Sequence, residues 1–161
     1  MAVVQATYNE RMPVAVAGLI ADMRNWDGIS RTCETAAGIG FGLACGRGDT
    51  DPATGAKLAG ALGDFLGVSH RDITLEASVT PDEYAQYNEM GILTTGTIWA
   101  QVTGTPGPDD PVHYNATTGV FAASGGTGPV LGARWMTNTV TNTVGSLSLC
   151  KLHLSGYNPA P

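Results

Sequence analysis

The residues with chemistry to offer are three histidines (His70, His113, His153), three cysteines (Cys33, Cys45, Cys150) and two acidic pairs. The histidines stand far apart, and none has a second His or a Glu at the spacing a metal site needs. Ser69, His70 and Asp72 contain the members of a nucleophilic triad. However, neighbouring residues of a strand point to opposite faces, so Ser69 and His70 diverge. Asp82-Glu83 and Asp109-Asp110 fall in turns, where carboxylates are commonplace. The cysteines are odd in number and lack C-x-x-C spacing, which predicts reduced, buried thiols rather than a disulfide framework or a zinc site. Gly38-Ile39-Gly40-Phe41-Gly42-Leu43 looks like a phosphate loop, but Leu43 stands where the dinucleotide fingerprint requires glycine. The sequence therefore offers no catalytic residue, no metal site and no cofactor site, and points to a non-enzymatic protein.

Two short motifs have chemistry only in the right compartment. Arg47-Gly48-Asp49 lies in a polar turn, and Asn115-Ala116-Thr117 matches a glycosylation sequon. No basic segment followed by a long apolar one opens the chain, so export is not expected and both motifs are read as silent.

The elements that position these residues read as strands. Gly91–Val102 holds two runs of strand formers around Thr95-Gly96, which predicts two antiparallel strands and a tight turn. In the second run Ile98, Ala100 and Val102 share a core face, leaving Thr97, Trp99 and Gln101 on a polar one. A Pro/Gly/Asp loop (103–111) leads to a further hairpin through Val112-His113-Tyr114-Asn115 and Val120-Phe121. The alternation in 38–43 predicts a strand with Ile39, Phe41 and Leu43 on one face and glycines on the other, where another backbone can approach closely. Lys57–Val68 has helical spacing but three glycines, each costing about 1 kcal/mol in a helix. A strand from about Phe65 is preferred, with a second at Ile73–Glu76 and a short helical turn within Pro81–Asn88. Leu131–Thr137 reads as a strand. Leu147–Leu154 alternates with leucine on both faces, which predicts a central, buried strand.

Composition limits the partners. The chain has 161 residues, one domain's length, with a net charge of −6 and dispersed arginines, which argues against nucleic acid. Pro13–Ala21 is apolar but far shorter than the about 20 residues that span a bilayer, so no membrane partner is expected. Charged residues make up 14% of the chain, against roughly 25% in soluble domains. Either partners cover much of this surface, or it is an ordinary Gly-rich β-protein with a Thr/Asn exterior.

Residues 1–27 read as an N-terminal arm with strand character, ahead of a β-rich domain over 28–161. Pro13 cannot donate to a ladder and marks an edge or extended segment. Met12, Met23 and Trp26 are large apolar residues among small ones. They either fold back on the domain or anchor a neighbouring subunit, since Met and Trp are enriched in interface cores.

Taken in order, several segments resemble the structural cement, or head decoration, proteins of tailed bacteriophages. They are Met12-Pro13-Val14-Ala15-Val16-Ala17-Gly18-Leu19-Ile20-Ala21-Asp22, Phe65-Leu66-Gly67-Val68, Gly96-Thr97-Ile98-Trp99, Asp110-Pro111-Val112-His113-Tyr114 and Gly132-Ala133-Arg134-Trp135-Met136-Thr137. The closing apolar strand completes the series. The resemblance implies a mainly-β fold, a barrel or jelly-roll-like sandwich with an extended arm. It also implies a virion protein made in the host cytoplasm, bound to the outer capsid surface and to the major capsid protein. Self-association as a dimer or trimer goes with this reading, and Met12, Pro13, Val14, Met23 and Trp26 become the contact residues. The competing readings are a tail-tube or neck subunit, and a carbohydrate-binding β-sandwich using Trp99 and Tyr114.

Overall fold

The computed structural model describes residues 15–73, 82–141 and 147–156. Its strands are β1 (Asp27–Cys33), β2 (Ile39–Gly40), β3 (Ala44–Arg47), β4 (Gly55–Leu58), β5 (Phe65–Ser69) and β6 (Glu83–Tyr84). They continue with β7 (Glu89–Gln101), β8 (His113–Tyr114), β9 (Phe121–Ala122), β10 (Ala133–Trp135), β11 (Val140–Thr141) and β12 (Ser148–Ser155). A 3-10 turn over Leu62–Asp64 leads into β5. The fold is mainly β, as the sequence predicts.

Five strands close into a barrel in the order β1-β4-β3-β5-β7, with β7 returning to β1. Closure removes the free edges that an open sheet would present. Only β1 and β4 run parallel, through Thr32↔Gly55 and Cys33↔Ala56, and the remaining ladders of the barrel are antiparallel. All five strands contribute to one buried cluster containing Cys33, Cys45, Ala56, Met90 and Ile92, which fills the barrel. Phe41 and Tyr84 close it with an edge-on ring contact at 5.2 Å. A second cluster lies outside β3, β5 and β7 and includes Phe65, Tyr114, Phe121 and Trp135. These rings meet in sequence at 5.4, 6.1 and 6.4 Å.

Strand β7 joins the two cores, and here the structure corrects the expected hairpin. Glu89–Gln101 is one continuous strand, and Thr95-Gly96 is a bend within it. Asp27 pairs with Thr95 but Gly28 pairs with Leu93, so Thr94 is an extra residue bulged from the ladder. Its hydroxyl donates to the Asp27 carbonyl at 3.1 Å. A bulge inverts the facing of everything beyond it. Met90 and Ile92 therefore point into the barrel, whereas beyond the bulge Trp99 belongs to that side and Ile98, Ala100 and Val102 to the outer core. The face expected to be polar is covered as well: Thr97 and Trp99 are buried. Lys151, the cross-strand partner of Trp99, sets its ammonium 5.1 Å from the indole centre.

Other expectations divide. The strand from Phe65, the 113–122 hairpin, the 133–135 strand and the buried final strand all form. Gly38–Leu43 is not one strand: β2 ends at Gly40, and Gly42 turns the chain at φ +75°. Close backbone approach does occur there, because a Cβ on Gly42 would lie 2.8 Å from the Trp99 carbonyl. Glu83-Tyr84 pairs with Ile39-Gly40 in place of the expected helical turn. Ile73 lies in a turn and is exposed, and Thr74–Glu76 lies outside the described residues.

Candidate interaction surface

Most of the groups that chemistry could use are occupied by the fold, while the buried Nδ1 of His113 has no hydrogen-bond partner. The Ser69 hydroxyl is buried, donating to the Gly40 carbonyl at 2.7 Å and accepting the Leu43 amide at 3.0 Å. His70 faces away and lies over Gly91, where any Cβ would collide with the imidazole. His153 meets the Thr97 hydroxyl at 3.1 Å. Among the described residues no group of three His, Cys, Asp or Glu side chains is placed to hold a metal. Cys33, Cys45 and Cys150 are all free and buried. Burial pushes the Cys45 thiol up to about 12, and it raises Cys33 and Cys150 as well. A thiol so protonated is a poor nucleophile.

Three features fix the Arg-Gly-Asp turn. The Glu34 carboxylate accepts the amides of Thr50 and Asp51, each at 2.9 Å, and these bonds hold its carboxyl below the usual range. Gly48 leaves the space that this carboxylate occupies. Asp49 pairs with Lys57 at 2.5 Å, so its carboxylate has an internal partner. Trp99 and Tyr114, the aromatics a sugar would need, are both buried. A groove of Thr103, Asn115, Thr118, Ala122, Ser124 and Gly125 is lined by small side chains instead.

What the surface does offer is exposed apolar residues. The main group lies where the N-terminal segment joins the barrel. Ala15 and Ala17 are buried, and from Gly18 the chain runs beside β7. Gly18 N–H donates to the Trp99 carbonyl at 2.8 Å, Trp99 N–H to Leu19 at 3.0 Å, and Ala21 N–H to Thr97 at 2.8 Å. This ladder is broken before β1 takes it up. Ile20 is opposite Ile98, yet Asp27 is opposite Thr95. The two registers differ by four residues, so Met23, Arg24, Asn25 and Trp26 are looped out of the sheet opposite Gly96. Asp22 supports the base of the loop by accepting the Arg24 amide at 3.1 Å.

Met23 is fully exposed, at 101%, and Trp26 is 54% exposed. The indole backs onto glycine. A Cβ on Gly96 would stand 2.8 Å from the Trp26 Cβ, and one on Gly28 would touch its ring at 3.7 Å. Of the five contact residues named from the sequence, the structure brings Met23 and Trp26 together in this loop. Met12, Pro13 and Val14 lie outside the described residues. Sequence reasoning did not single out Arg24, exposed in the same loop, or the exposed Leu131 and Tyr87. The available signal for Arg24 was the Asp22-x-Arg24 spacing of an aspartate turn.

Comparison with known proteins bears on the family and the fold. No curated protein matches by sequence. A chain from the capsid of Myoviridae phage XM1 has the same fold, with a TM-score of 0.68, 15% identity, and coverage of 96% of this chain and 98% of that one. The family described as structural cement protein (E217 gp24/Pam3 gp6) matches over residues 4–150. With the match spanning most of the chain, the protein belongs to the structural cement protein family, whose members are structural, capsid-stabilising proteins.

Proposed function

We propose that this protein binds the outside of an assembled capsid and cements the lattice of the major capsid protein, without catalysing a reaction. The observation that carries the reading is the family match over residues 4–150. It is supported by a chain of which only 14% is charged and by apolar side chains looped clear of the core. Met12, Pro13, Val14, Met23 and Trp26 are the proposed contacts to capsid or sister subunits, with residues 1–27 acting as the clamping arm. The protein is made in the host cytoplasm and acts as a dimer or trimer.

The mechanism is multivalent. Each contact is weak, but contacts repeated over an icosahedral lattice give an avidity that one alone lacks. A ligand that prefers the assembled shell stabilises it by linkage. Co-sedimentation with capsids stripped of this protein is the test. The reading expects saturable binding, weakened sharply when residues 1–12 are deleted while the free protein keeps most of its melting temperature. Failure of the full chain to sediment with capsids contradicts it.

A further inference from the structure

We infer that the looped-out residues 23–26 are a docking knob, inserting Met23 and Trp26 into an apolar pocket of the major capsid protein that carries a carboxylate at its rim. The inference rests on the capsid-binding reading and names the contact that reading requires. A continuous ladder from Gly18 to Cys33 along β7 would need no insertion at Gly96. The four extra residues add nothing to the buried clusters, and all four are exposed. Their composition of Met, Arg, Asn and Trp includes the side chains that dominate binding hot spots.

The knob is also held in shape. Its base is tied by the Asp22 carboxylate, the Trp26 ring is backed by Gly28, and the Trp26 Cβ sits against Gly96. Little freedom is then lost when the exposed face of the indole is covered, which favours affinity. Arg24, exposed between the two apolar anchors, sets the charge of the matching rim, since guanidinium pairs best with a carboxylate.

Size decides between the capsid protein and a second copy of this chain. Covering all four side chains would remove roughly 400–500 Å² on this side, against about 800 Å² per partner in a stable two-body interface. A contact of that size does not hold an isolated pair of copies together. It suits a lattice that offers the same pocket many times, where repetition multiplies a modest affinity.

The test uses the full chain with Met23→Ala, Trp26→Ala and Arg24→Glu, read by binding to stripped capsids, by melting and by sedimentation mass. Each variant is expected to lose about tenfold or more in capsid affinity, with the mass of the free protein unchanged. Met23→Ala removes a side chain that touches solvent alone, so it keeps the wild-type melting temperature. Binding of all three variants at wild-type strength overturns the knob while leaving capsid binding intact. A fall in sedimentation mass with Trp26→Ala overturns it too, because the loop would then join copies of this chain. Absence of wild-type binding removes both the knob and the reading on which it rests.

Discussion

Cys45 and Tyr84 hold protons that the barrel interior makes hard to release. Burial pushes the Cys45 thiol up to about 12 from an ordinary 9.0, and the Tyr84 phenol up to about 12 from 10.0. Tyr84 also donates to the His70 carbonyl at 2.8 Å. Because the native state binds these protons more tightly than the unfolded chain, stability is full below about pH 9 and is lost as pH rises towards 12. The urea midpoint should therefore be level from pH 7 to about 9 and fall beyond it, and a midpoint unchanged through about pH 11 would contradict the burial of these groups. Native protein should react slowly with an aromatic disulfide reagent at about pH 8, and denatured protein should release three thiols per chain. The burial of the three cysteines was legible from their odd number and spacing. The work of Glu34 was not, because a carboxylate that organises a turn 16 and 17 residues ahead leaves no periodic trace in sequence.

Glycine decides much of the strand-level detail, and this is where reading the sequence both succeeded and failed. Thr95-Gly96 carries the residues of a turn, and Gly96 does adopt φ +123°. The same freedom serves a bulge and a close approach by Trp26, so composition alone does not separate the two. Alternation was reliable where no bulge intervened, as in β12, and misled about β7, whose facing inverts at Thr94. Strand β4 was missed because Gly55–Leu58 is short and opens a run with helical spacing. Substitution checks the packing. A Cβ on Gly67 would overlap the Leu93 carbonyl at the β5–β7 seam, so Gly67→Ala should cost about 2–3 kcal/mol in urea unfolding. Gly63 has nothing within 4 Å of its Cβ position, and Gly63→Ala should change stability by less than about 1 kcal/mol. Equal effects at the two sites would contradict the seam. Trp135, buried in the outer core with its indole N–H donating to Pro111 at 3.3 Å, should cost about 3–5 kcal/mol on truncation to alanine.

At the scale of the whole molecule, a closed barrel and a second core supply the buried apolar contacts, leaving the exterior free for contacts. Its low charge suits a protein that works covered by neighbours rather than alone in solvent. The mainly-β class was legible from strand formers punctuated by glycine. The barrel was legible as one of two forms, beside a jelly-roll-like sandwich. Its strand pairing was not legible, because the parallel pairing of β1 with β4 joins segments more than 20 residues apart through only Thr32↔Gly55 and Cys33↔Ala56. The central claim is that this protein stabilises an assembled shell. Its most direct test is the disruption temperature of stripped capsids, followed by light scattering as the protein is added. Cementing by linkage predicts that the temperature rises with protein concentration and levels off once the lattice sites are filled. A disruption temperature that does not move at saturating protein, or that falls, would contradict it.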